Sequence, residues 1–142
     1  MACCVQSIGP KTLWVQPPFT VAECHIVHDE DWYDPLPQFL DGDDTQPTNL
    51  DGKRIEIYIR PVYDHTLLIA KLSTDDGTIV IDDAQRGMAS VNVGRAQVAD
   101  LLPVGTWQHF CVESEPEGTD PADGRRYLER FRGPFIVHPG RT

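Results

Sequence analysis

The residues best suited to chemistry are clusters of Asp, His and Cys. Two aspartate pairs, Asp75-Asp76 and Asp82-Asp83, bracket the apolar run Ile79-Val80-Ile81. Paired carboxylates do acid/base or metal chemistry when both reach one reacting bond. The segment between them reads as extended, and at about 3.3 Å per residue Asp76 and Asp82 stand roughly 20 Å apart. One metal ion or one scissile bond cannot be served from both ends of that span. Each pair also leads into a glycine, "TDDG" with Gly77 and "DDAQRG" with Gly87, and such strings form turns in which glycine supplies positive φ. The pairs are expected to be turn residues.

Three further constellations bear on metal binding or nucleophilic catalysis. "CHIVH" brings Cys24, His25 and His28 together, with Cys3 and Cys4 upstream as further zinc ligands. On an extended strand Cys24 and His28 share one face and His25 takes the other. There is no C-x-x-C, and a vicinal Cys-Cys pair fits tetrahedral zinc poorly. The thiols are expected to face the core or a partner. "WQHFC" sets Trp107, His109 and Cys111 on one strand face, but i, i+2 neighbours lie roughly 6.5–7 Å apart, too far for direct proton transfer. "FLDGDDTQ" offers Asp41, Asp43 and Asp44 to calcium, without the glycine at the sixth position or the distant Glu of an EF-hand loop. No phosphate-binding loop, dinucleotide fingerprint, zinc-protease pair or nucleophile elbow occurs. The expectation is a non-enzymatic protein with no catalytic residue, no cofactor and no metal.

The elements that carry these residues are short. Twelve prolines and eleven glycines are spread through 142 residues, which favours strands and turns over helices. "RIEIYIRP" is the clearest strand, with Ile55, Ile57 and Ile59 on one face, Arg54, Glu56, Tyr58 and Arg60 on the other, and Pro61 to stop it. Further strands are expected over residues 19–28, in "HTLLIAKLST" as a central strand apolar on both faces, and in "GTIVID" and "MASVNV". "TWQHFCVE" and "YLERFRGPFIVH" follow, joined by the polar loop "SEPEGTDPADGRR". "RAQVADLLPVG" places Ala96, Val98, Leu101 and Leu102 on one or two helical turns ended by Pro103 and Gly105. These elements predict an all-β fold: a single β-sandwich, Ig-like or jelly-roll-like, of seven or eight short strands with one short helical turn. Residues 1–19 read as an N-terminal extended docking arm and 20–142 as the sandwich domain. The arm's Leu13, Trp14, Val15 and Phe19 are too apolar for a free tail.

Composition bounds the partners. Hydrophobic residues at 40% and charged residues at 24% are ordinary globular usage. The net charge of -10 argues against nucleic acid, which needs clustered Lys and Arg. No apolar run approaches the roughly 20 residues that span a bilayer, so no membrane insertion is expected. "MACCVQSIGP" lacks a basic region followed by an apolar stretch, so no secretory signal is expected and the four cysteines are read as free thiols.

In order, "HDEDW", "NLDGKRIEIYIRP", "LIAKLSTDDGTIVIDDAQRG", "DLLPVGTW" and "GPFIVHPG" resemble the pattern of small phage and prophage tail-cluster proteins, similar to the N-terminal domain of siphophage upper baseplate proteins. The resemblance runs from about Ile26 to Pro139 and leaves the arm outside. It implies a structural virion component of a tailed bacteriophage, made in the bacterial host cytoplasm. Such a module serves assembly or attachment in the tail tip, baseplate or tail-fibre region, with other tail, baseplate or fibre proteins and copies of itself in a ring or multimer as partners. A neck or capsid-decoration role is the nearest variant. The interface residues expected are Trp14, Val15, Phe19, Trp32, Tyr33 and Tyr58. Of other classes, a carbohydrate-binding module for host-surface glycan would use exposed Trp32 and Tyr33, whereas Trp107 sits among core-like residues. A hydrolase or metalloenzyme is opposed by the missing motifs.

Overall fold

The computed structural model describes residues 20–40, 46–114 and 127–140. The arm, with Trp14, Val15, Phe19, Cys3 and Cys4, and the acidic loop with Asp41, Asp43 and Asp44, lie outside the described residues.

The described chain is a curled, sandwich-like arrangement of strands, as the proline and glycine spacing predicts. Its strands are β1 (Thr20–Val21), β2 (Cys24–Val27), β3 (Arg54–Pro61), β4 (Ala70–Ser73), β5 (Ile79–Asp83), β6 (Met88–Val91), β7 (Gly105–Ser114) and β8 (Tyr127–His138). One helix, α1 (Arg95–Leu101), connects β6 to β7. The larger sheet runs β1-β8-β7-β3-β4, with β2 also on β8; β5 and β6 form a hairpin of their own.

β3 behaves as its alternation requires. Ile55, Ile57 and Ile59 are buried, and Ile57 lies opposite Leu72 of β4 on one side and Cys111 of β7 on the other. The edge beside β8 has a different logic. β1 and β2 share one parallel register, Thr20 opposite Phe131 and Cys24 opposite Phe135, so they are one strand interrupted at Ala22-Glu23. The interruption lies across from Gly133 and Pro134. Pro134 has no N–H to give, and Gly133 admits the neighbouring backbone closely: a Cβ there would stand 2.0 Å from the Ala22 carbonyl oxygen.

The second layer contains more than its hairpin. The segment 32–39 runs along β6: Trp32 and Val93 exchange backbone hydrogen bonds at 2.9 and 3.0 Å, and the N–H groups of Leu36 and Phe39 donate to Ala89 and Gly87. Gly87 adopts the left-handed φ of 67°, and a side chain there would collide with the Phe39 carbonyl. Trp32, Phe39, Leu50, Ile79, Ala89 and Val91 from this layer close over the β3, β7 and β8 residues in one core.

Two elements differ from the sequence expectation. β4 is an edge strand beginning at Ala70, and Leu67 and Leu68 are exposed in the loop before it rather than inside a central strand. An unbroken apolar run looks the same in either setting. In α1, Val98 and the following Leu102 are buried but Ala96 faces solvent. Two turns rest only a narrow stripe on the core.

Candidate functional site

Asp75 and Asp76 lie in the turn before β5, as expected, whereas Asp82 and Asp83 are the last residues of β5 itself, ahead of the 3-10 turn. Asp76 accepts from the Thr78 backbone N–H and hydroxyl at 3.0 and 2.6 Å, and these bonds hold its carboxyl below the usual range against a burial effect that raises it. Asp83 caps the 3-10 turn Ala84–Arg86 by accepting from the Arg86 N–H. Asp82 accepts instead from the Ser90 hydroxyl across the hairpin. The carboxylates are spent on local structure.

The "CHIVH" residues separate as strand alternation demands. Cys24 turns inward, and burial together with Asp34 pushes its thiol up to about 12. His25 is exposed; its Nε2 meets Glu23 and its Nδ1 lies 2.9 Å from His138 Nε2, with the rings stacked. Among the described residues no group of three or more His, Cys, Asp or Glu side chains is placed to hold a metal ion. In "WQHFC", His109 and Cys111 are buried and Trp107 is half-buried, its Nε1 donating to the Pro103 carbonyl at 2.8 Å. Burial lowers the His109 ring to about 4, with the Gly133 carbonyl pulling the other way. Burial likewise drives Cys111 well above the ordinary thiol range. A neutral imidazole and a protonated thiol do not make an activated nucleophile pair.

What the layers do enclose is a pocket of about 340 Å³. Ile57, Trp32, His109 and Phe131 are its buried floor, and Glu23, Asp34, Pro35 and Pro37 its exposed rim. The lining is predominantly apolar. No motif marks it, because its residues come from β2, the segment 32–37, β3, β7 and β8.

The expected interface residues fall in three environments. Trp32 is 5% exposed and packs on Phe135 with ring centroids 5.2 Å apart. This corrects the exposed-tryptophan expectation: backbone pairing with Val93, just past β6, holds Trp32 against the core. Tyr33, its neighbour, is 58% exposed and borders a shallow groove with Pro35 and Val80. Tyr58 is half-buried on the outer face of β3; its hydroxyl donates to Glu56 at 2.7 Å and Arg60 lies over its ring at 5.6 Å.

A surface that the interface expectation did not name is more prominent. The loop 62–69 between β3 and β4 exposes Val62, Tyr63, Leu67 and Leu68, with Tyr63 at 85%. Its shape is set locally: Asp64 accepts from the Thr66 N–H and hydroxyl at 2.9 and 2.6 Å, and the Ile69 N–H donates to the Ile59 carbonyl at 2.8 Å. Isolated exposed apolar residues are normal, but four on one loop are more than scatter. "HTLLIA" carried the signal, since a leucine pair beside the polar "YDH" turn need not be strand.

No family model matches the sequence, and no curated protein matches it significantly.

Proposed function

We propose that this chain is a non-enzymatic structural component of a tailed-bacteriophage virion, an assembly module of the tail tip, baseplate or tail-fibre region. The observation that carries the assembly reading is the 62–68 loop, which holds four large apolar side chains in water on a strand-supported base. Its occupant is another virion protein, and docking there removes apolar surface from solvent at about 25 cal/mol per Å².

The phage assignment rests on the resemblance in segment order, and the residues of that pattern have identifiable structural work. In "HDEDW", Asp31 accepts from the Arg95 N–H at 2.7 Å, capping a helix whose Gly94 N-cap has no side chain to do so, and Trp32 enters the core. In "STDDG", Ser73 and Asp76 bond the turn that launches β5. The pattern is thus one of fold-setting caps and turns. The glycan-binding alternative is weakened by the burial of Trp32, which leaves Tyr33 without an adjacent exposed tryptophan.

The test is particle composition. Virions of the phage or induced prophage that carries the gene are purified, and the chain is sought by mass spectrometry. We expect it in the particle, and we expect Tyr63→Ser/Leu67→Ser to remain folded but to be lost from particles. A chain absent from purified virions sinks the reading; one retained in full by the double variant removes the loop as the docking surface.

A further inference from the structure

Two surfaces on opposite sides of the molecule match in shape and in charge. The first is the outer face of the large sheet where it meets the 62–68 loop. Register places Lys71, Tyr58, Phe110 and Arg132 side by side across β4, β3, β7 and β8. The loop leans onto this row: Gln108 Nε2 donates to the Pro61 carbonyl at 3.1 Å and lies 3.2 Å from His65 Nδ1, and the His65 ring stands 6.3 Å from that of Phe110. The exposed Val62, Tyr63, Leu67 and Leu68 therefore project beside a sheet face that carries cations. Lys71 and Arg132 have carboxylate partners in Glu56 and Glu129. Arg60, laid over the Tyr58 ring, has no ion-pair partner among the described residues. A chain of net charge -10 has carboxylates to spare, yet this cation is left without one.

The second surface is the outside of the β5–β6 layer. Ile79, Ala89 and Val91 enter the core, so Val80, Asp82 and Ser90 face outward. With the exposed Tyr33, Asp34 and Pro35 they line the shallow groove, of about 430 Å³. Tyr33, Pro35 and Val80 give it apolar surface, Asp34 and Asp82 carry its charge, and no cationic side chain lines it. A protruding apolar loop with an unpaired cation and an apolar groove with two carboxylates are complementary. They lie on opposite faces of the sandwich, so one chain cannot close them on each other, but two chains can. We propose that copies of this chain associate head to tail, the 62–68 loop of one copy seated in the Tyr33–Val80 groove of the next and Arg60 turned toward its Asp34 and Asp82. The inference rests on the reading of the loop as the docking surface and names the virion protein that occupies it. Because the two patches differ, the contact is heterologous: each added copy leaves one loop and one groove open, and assembly runs on to a closed ring or an open stack.

The test uses the full chain with two surface variants, Leu67→Asp in the loop and Val80→Asp in the groove, read by sedimentation velocity. The unmodified chain is expected to form multimers as its concentration rises. Each variant alone should stay monomeric with an unchanged thermal melt. Their mixture is the decisive sample: Val80→Asp keeps its loop and Leu67→Asp keeps its groove, so the two should form a mixed dimer and stop there. Arg60→Gln should weaken self-association several-fold and remove most of its salt dependence. An unmodified chain that is monomeric at every concentration overturns the proposal, and so does a mixture of the two variants that stays monomeric. Multimers that survive Val80→Asp but not Leu67→Asp mean that loop meets loop, and overturn it as well. Tyr63→Ser/Leu67→Ser and Tyr33→Ser serve as a second loop variant and a second groove variant, so a misfolded Asp variant leaves the mixing experiment standing. The virion reading fails separately. A monomeric chain that still enters particles through its loop overturns head-to-tail association alone, whereas a multimer absent from virions overturns the virion reading and supports the self-association.

Discussion

Two Arg–Glu pairs lie two residues apart on β8, and the sheet treats them oppositely. Arg130 is buried: its Nε and Nη2 reach Glu113 Oε1 at 2.7 and 2.6 Å, Nη1 donates to the Leu40 carbonyl and Nη2 to the Thr48 hydroxyl, and Phe39 lies beneath the guanidinium. Arg132 is half in water, paired with Glu129 at 2.8 Å and laid over Phe110 on the outer face. A bulge makes the difference. Cys111 pairs with Phe131 and Val112 with Glu129, so Arg130 is the extra residue and turns inward alongside Phe131. The same chemistry is a fastening between layers in one place and a surface ornament in the other.

The largest effect should come from breaking the inner pair. Arg130→Met leaves Glu113 buried and uncompensated and frees Leu40 and Thr48, so a loss of about 3–5 kcal/mol is expected in urea unfolding. Replacing both partners, Arg130→Met with Glu113→Leu, should recover most of it. A single variant as stable as the double would mean that water reaches Glu113. Next comes the same inside–outside contrast along β3: Ile57→Ala should cost about 2–5 kcal/mol through its cavity, and Tyr58→Ala much less. Equal costs would show that the outer face is packed as tightly as the inner.

The third prediction concerns buried His109. Its folded pKa of about 4 lies below the ordinary 6.5, so the unfolded chain binds the extra proton. Its neutral form contributes full stability above pH 6.5, and that contribution is lost as pH falls through 4, on the order of 3 kcal/mol over the window. The stability difference between the unmodified chain and His109→Phe, measured from pH 7 to 4, should shrink or reverse by that amount; a flat difference would place solvent at the ring. The smallest effect is expected from Arg132→Gln, below about 1 kcal/mol and fading as salt is added.

Local chemistry was legible in the sequence and distant pairing was not. The isoleucines of β3 announce a face because alternation needs no partner to be seen. Gly77 and Gly87 announce turns because each closes a short polar string that an Asp pair opens. The burial of Trp32 depends on Val93, some sixty residues downstream, and the inward turn of Arg130 depends on a bulge that no residue type marks. The pocket is harder still, since it exists only where five separate segments meet. Leu67 and Leu68 misread for a related reason: apolar content says that a residue avoids water, not that the fold succeeds in hiding it.

The parallel seating of β1 and β2 on β8 has a consequence for synthesis. Residue 20 meets residue 131, so the edge strand is made well before the strand it pairs with and has no ladder to join until β8 has emerged. β3, β4 and the β5–β6 hairpin can pair in the meantime, each with a near neighbour. The final closure joins distant parts of the chain, the kind of contact that sets a slow folding rate, and until it happens the inner side of β8 and the His109 ring stand uncovered to whatever the nascent chain encounters.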